Sequence, residues 1–218
     1  MAKKVYSLIV LDESGSMYSI EKATISGLNE TIQSIKSAQG KHTEQEHFLS
    51  LLSFSSEHMT WHYDLTPVAD IAQFAGEKYA PSGCTPLYDA IGMGISKLRR
   101  QITDDDMVLV TIITDGEENS SSEYKFDSIT RLMDAMKAKG WVISYIGANQ
   151  DAIRVAHEMH IDSGLSYDAT PEGVQRMMKF ERAKRGVLYE AMACCASPSE
   201  MADFDYFGEG RKKKSKKS

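Results

Sequence analysis

The sequence predicts an α/β protein: a doubly wound, mostly parallel six-stranded sheet with one antiparallel edge strand and helices on both faces. Three observations lead there. Unbroken apolar runs such as VYSLIVL (5–11), MVLVTIIT (107–114) and WVISYIGA (141–148) suit strands buried on both faces. Segments of helical spacing separate most of them. One pair of strand-like runs, HFLSLLSF (47–54) and MTWHYDL (59–65), is joined only by SSEH, which makes that pair antiparallel neighbours.

Taken in order, the first strand runs into VLDESGSM, and a helix follows from Met17 to Ala38 on the spacing of Ile20, Ala23, Ile25, Leu28, Ile32 and Ile35, with Gly40 as its stop. After the hairpin pair, Pro67 opens a short helix to about Phe74, and the loop GEKYAPSGCTP leads into a helix with Leu87, Ile91, Ile95 and Leu98 on one face. The strand 107–114 is the most apolar and is central. The polar loop TDGEENSSSEYK and the helix SITRLMDAMKAKG follow, then the strand 141–148, the helix QDAIRVAHEMH and a short edge strand in SGLSYDA. Thr170 is an N-cap and Pro171 the first residue of a last helix that reaches about Cys195, with Val174, Met177, Met178, Val187, Leu188 and Met192 facing the core. Residues 1–197 form one domain, and residues 198–218 read as a flexible tail ending in a lysine-rich run.

Composition narrows the function. The formal charge is −6, yet the closing RKKKSKKS alone carries six positive charges, so the body is more acidic than the total suggests. Such a body repels nucleic acid and leaves only the tail to contact it. Three cysteines, two of them adjacent, make no disulfide framework and point to a reducing, cytoplasmic setting. No segment has the length and apolarity of a membrane span.

Oxygen-bearing side chains gather where sheets of this kind bind ligands, beyond the carboxyl ends of strands. Asp12, Ser14 and Ser16 follow the first strand, Thr85 opens a helix after SGC, and Asp115 ends the central strand. Each has an ordinary alternative: Ser16 and Thr85 as helix caps, Asp12 and Asp-Gly as turns. Hydroxyls and carboxylates without sulfur or imidazole suit a hard cation. Asp89, one turn after Thr85, reads either as an orienting acid or as a cap, and Glu13, Glu117 and Glu118 as acids rimming the site or solvated in loops. His58 and His62 lack a third ligand, His157 and His160 read as surface residues, and Cys84 as a small buried side chain.

In the order D-x-S-x-S, T, D, and in the flanking GCTPLYDAI and TDGEEN, the chain resembles the von Willebrand factor A (vWA) domain family with its metal-ion-dependent adhesion site, as a stand-alone bacterial-type member, over residues 5 to 195. The resemblance implies a Mg or Mn ion touched by Ser14, Ser16 and sometimes Thr85, with Asp12 and Asp115 acting through water. It also implies a protein partner whose Asp or Glu carboxylate completes the coordination, rather than catalysis. Two rival readings stand beside this one: a metal-assisted hydrolase or phosphatase, and a scaffold with a structural metal. Against an enzyme, VLDESGSM lacks the second acid of D-x-D phosphatases, and the chain has no G-x-S-x-G, P-loop or G-x-G-x-x-G.

Overall fold

A computed structural model describes residues 2–148, 151–195, 197–208 and 210–211. One sheet has the strand order β3-β2-β1-β4-β5-β6, formed by β1 (Lys3–Asp12), β2 (Gln45–Phe54), β3 (Met59–Pro67), β4 (Met107–Thr114), β5 (Val142–Ala148) and β6 (Ser163–Tyr167). All neighbours pair in parallel except β2 and β3, which are antiparallel and place β3 at an edge. The helices are α1 (Glu21–Lys41), α2 (Leu87–Gln101), α3 (Phe126–Ala138), α4 (Ala152–Glu158) and α5 (Pro171–Cys194). This is the fold class the sequence predicts.

The apolar runs are unbroken because their side chains alternate between two cores. From β1, Val5, Ile9 and Leu11 enter the core shared with α1 and α5, whereas Tyr6, Leu8 and Val10 enter the core shared with α2, α3 and α4. β4 divides likewise, with Leu109 and Ile113 on one side and Val108, Val110 and Ile112 on the other. Each such buried side chain contributes about 1.5–3 kcal/mol. Thr170 caps α5 as expected, its hydroxyl accepting the Gly173 N–H at 3.0 Å.

Several local expectations are corrected. The helix expected at 67–74 is only the 3₁₀ turn Val68–Asp70, and the chain beyond it is pinned to α1, where the Asn29 side chain both accepts from Phe74 N and donates to Phe74 O. Gly40 does not stop α1, which runs one residue further. Val187 is exposed, and the buried stripe of α5 passes instead through Glu181 and Arg185. The Arg185 guanidinium donates to Glu181 Oε1 at 2.5 Å, to Thr111 Oγ1 of β4 at 3.0 Å and to Ser7 Oγ of β1 at 3.4 Å. Tyr206 donates to the same carboxylate oxygen at 2.7 Å. Tyr206 belongs to the segment expected as flexible tail. Residues 198–208 instead fold back, with a 3₁₀ turn at Pro198–Met201 and with Met201, Phe204 and Tyr206 buried, because three widely spaced apolar side chains suffice to dock an irregular segment. A two-residue strand, β7 (Phe204–Asp205), pairs there with β8 (Gly210–Arg211). The lysine run 212–218 lies outside the described residues.

His47, on β2, is buried against α5. Gln45 Nε2 donates to Tyr189 O, so Gln45 Oε1 is the acceptor for His47 Nε2–H, 2.9 Å away. Burial, with smaller contributions from His42 and Arg185, pushes the imidazole down to about 4. The unfolded chain therefore takes up a proton near pH 6.5 and the folded one only near 4. Between those values the unfolded state holds more protons, and stability falls as pH falls. In urea denaturation the wild type should lose about 2 kcal/mol more than His47→Leu between pH 7.5 and 5; parallel losses would show that His47 is not the group responsible.

Candidate functional site

The parallel register sets Leu11 beside Ile113, so β1 and β4 end side by side at Asp12 and Thr114. Asp12 is fully buried. Its Oδ1 accepts the Ser14 N–H at 2.7 Å and its Oδ2 accepts the Thr114 hydroxyl at 2.5 Å. Ser14 Oγ and Ser16 Oγ share a hydrogen bond of 3.2 Å, and Ser16 Oγ donates to Asp115 Oδ1 at 2.5 Å. The structure thus brings Asp12, Ser14, Ser16 and Asp115 into one chain of contacts.

Capping does not consume these hydroxyls. Ser14 precedes the 3₁₀ turn Gly15–Ile20 without a side-chain capping bond. Pro86, not Thr85, stands at the cap position of α2, again with no side-chain bond. Thr85 is held by its backbone instead, its N–H donating to Asn119 Oδ1 at 2.8 Å and its carbonyl accepting Asn119 N–H at 3.2 Å. Gly116 shows where the oxygens point. A Cβ added there would stand 3.1 Å from Thr85 Oγ1, 3.7 Å from Ser16 Oγ and 3.9 Å from Asp12 Oδ2. Oxygens from three loops surround one small space, and glycine keeps it clear.

The loops are sewn together around that space. Gly15 N donates to Gly83 O at 3.1 Å, and Gly83 holds a φ of +73°, where a side chain would be strained and would also meet Ser56 Oγ at 2.7 Å. Tyr79 donates to Asp12 O at 2.6 Å.

Glu13 and Glu118 do not rim the site. Glu13 is buried, with Oε1 accepting Ala80 N–H at 2.6 Å and Oε2 lying 3.1 Å from His58 Nε2. Glu118 accepts the N–H groups of Tyr88, Ser120 and Ser121. Asp89 accepts those of Ser122, Glu123 and Tyr124, so it organises a loop rather than a site hydroxyl. Glu117 is exposed. These roles, with that of Asn119, are not visible in the residue pattern, although a signal was present: the long loop TDGEENSSSEYK needs acceptors for its own N–H groups. His58 and His62 have separate partners, the latter with Nε2 2.7 Å from Ser53 Oγ. His157 and His160 are exposed. Cys84 is exposed too, against the expectation of a small buried residue, because its loop is tethered by backbone bonds to Ser56 and not by side-chain packing.

Burial pushes the Asp12 carboxyl up to about 6, overriding the hydrogen bonds from Thr114 and Ser14 that pull it down, and the Asp115 charge adds to the rise. Burial raises Asp115 as well, against the Ser16 hydroxyl. Among the described residues no three His, Cys, Asp or Glu side chains gather as a metal cage. The donor set here is two carboxylates with neutral hydroxyls around a small space, which fits a hard cation that keeps part of its water. Positive charge placed there offsets the cost of two carboxylates withdrawn from water.

Comparison with known proteins adds the fold. No sequence family and no curated protein matches the chain. Solved structures do. The mussel byssus proximal thread matrix protein 1 is 15% identical with a TM-score of 0.56, over 88% of this chain and 46% of that one. A von Willebrand factor type A protein from Catenulispora acidiphila is 15% identical with a TM-score of 0.55, over 84% and 42%. The SpRpn10 VWA domain is 14% identical with a TM-score of 0.55, over 83% of this chain and 95% of that one. The chain spans less than half the length of the first two. The shared architecture is the vWA fold.

Because its pKa is raised above the ordinary 3.8, ionised Asp12 costs the metal-free protein stability as pH rises from there through about 6. In EDTA at pH 7.5, Asp12→Asn should therefore be more stable than wild type, by at most about 3 kcal/mol. A lower melting temperature for the variant in a thermal scan would contradict this account of the site.

Proposed function

We propose that this chain, which has the vWA fold, is a metal-dependent protein-interaction module. Ser14, Ser16 and Thr85 offer neutral oxygens to a Mg²⁺ or Mn²⁺ ion, while Asp12 and Asp115 balance its charge through water. The observation that carries this reading is the convergence of the Thr85 and Ser16 hydroxyls and an Asp12 oxygen on the space beside Gly116, with none of these hydroxyls spent on a helix cap. A bound ion would supply an electrophilic position for an outside anion. With neutral hydroxyls as ligands its charge is under-compensated, so a partner's Asp or Glu carboxylate is the fitting last ligand. Specificity then comes from one carboxylate, and contact area from the surrounding loops. Near the site, Tyr18 is 71% exposed and offers such a contact. Among the described residues no helix is long and apolar enough to cross a membrane. A reducing, cytoplasmic setting suits three cysteines that make no disulfide framework.

Calorimetry on demetallated protein should show one divalent-cation site. Gly116→Ala, which places a methyl group among the donor oxygens, should weaken it by about ten-fold or more, a loss comparable to disturbing ligand support elsewhere. Unchanged affinity in that variant would remove these residues as the site.

For the partner, the probe is a protein recovered in a pull-down with Mg²⁺ and lost in EDTA, its interfacial acids then changed one at a time to amides. One substitution should abolish the metal-dependent part of binding. Full Mg²⁺ dependence in every amide variant would refute carboxylate recognition.

A further inference from the structure

Tyr167 closes β6 and is 9% exposed. Its hydroxyl is buried with no hydrogen-bond partner among the described residues. Native structures seldom leave such a group unpaired, since the desolvation is uncompensated. The sheet register shows which residues share its row. Thr114 pairs with Gly147, and Ala148 pairs with Tyr167, so Asp115, Ala148 and Tyr167 follow one another across the strand ends in a single row. Ala148 and Tyr167 both belong to the core beside α1 and α5. Neighbouring strands lie about 4.8 Å apart. A phenol can span much of the two-strand gap, and the side chain between is the methyl group of Ala148. After burial, the charges of Asp115 and Asp12 are the strongest influences on this phenol, and they raise its pKa, so it remains protonated and a donor. From the other side Tyr79, whose hydroxyl is satisfied on Asp12 O, also feels Tyr167.

We propose that Tyr167 is a positioning residue for the cation site, its hydroxyl donating to a water that also reaches Asp115 and so fixing one oxygen of the ion's hydration shell. This rests on the metal-binding reading above. It assigns a role to a residue outside the D-x-S-x-S, T and D positions, on the strand edge farthest from β3. Outer partners that orient a metal's ligands commonly govern affinity about ten-fold or more. Mg²⁺ sheds water reluctantly, so a donor that holds one of its waters acts on binding directly.

The test compares wild type with Tyr167→Phe, which keeps the ring and removes only the hydroxyl. In EDTA the melting temperature of the variant should be equal or higher, because an unpartnered buried hydroxyl has been removed. Calorimetry with Mg²⁺ should show affinity lower by about ten-fold. With Mn²⁺ bound, water-proton relaxation should differ between the two proteins, reporting altered hydration of the ion. A fall in the metal-free melting temperature would mean that the hydroxyl serves the fold and would overturn the proposal. Equal affinity with equal relaxation would overturn it while leaving the site reading intact. Absence of any cation binding by wild type would overturn both.

Discussion

The parallel pairing of β1 with β4 is the constraint on which the rest depends. These strands are buried on both faces and lie at the middle of the sheet order, where the chain's connections turn outward in opposite directions. From β1 the chain proceeds to α1 over one core, and from β4 to α3 over the other. A crevice opens between two diverging loops at such a point. Asp12 and Asp115 are placed there by register alone. Lower down, the same strand pair is tied by Arg185, which reaches Ser7 on β1 and Thr111 on β4. Burying a guanidinium with a carboxylate adds little net stability compared with apolar packing. Misaligning α5 would strand that charge without its partners, so the network favours one seat for the helix over the two strands.

Above the sheet, polar residues divide into those that build the loops and those that line the space beside Gly116. Glu13, Asp89, Glu118 and Asn119 are occupied with backbone N–H groups. That occupation matters chemically. A long loop with unpaired N–H groups would recruit any nearby oxygen, including the hydroxyls of Ser14, Ser16 and Thr85. Because the acids and the asparagine meet the demand, the Ser16 and Thr85 hydroxyls remain beside Gly116, with Ser16 linked to Ser14 and Asp115. The loop acids therefore shape the site without lining it.

Legibility follows the same division. The two-core alternation of β1 and β4 was readable because a strand-length run with no polar break must find apolar surroundings on both faces. The short SSEH link fixed the antiparallel edge. The proximity of Asp12, Ser14, Ser16, Thr85 and Asp115 was readable because their order and strand-end positions are joint constraints. What escaped was polar or irregular. Glu181 and Arg185 occupy core positions in α5 that a pattern of apolar residues assigns elsewhere, as the exposure of Val187 shows. Residues 198–208 carry no periodicity, so their docking through Met201, Phe204 and Tyr206 had no local signal. Tyr167 carried no signal of its own within SGLSYDA, because the row it shares with Asp115 exists only once β4, β5 and β6 are aligned.

Among the described residues, the two carboxyls that burial pushes upward, Asp12 and Asp115, belong to this one strand-end site. Alternative placements of the same residue types would have been cheaper, since an exposed acid bears no desolvation cost. A fold tolerates locally unfavourable groups where something outside the chain can compensate them. Here the compensation required is positive charge in a small, oxygen-lined space. A proton supplies the charge but not the geometry: it sits on one oxygen and gives no reason for the Ser16 and Thr85 hydroxyls to meet beside Gly116. On the proposed reading, a hydrated divalent cation would engage the carboxylates, the hydroxyls and the phenol together. That is why the desolvation of Asp12 and the gathering of hydroxyls beside Gly116 count together in support of the proposed cation site.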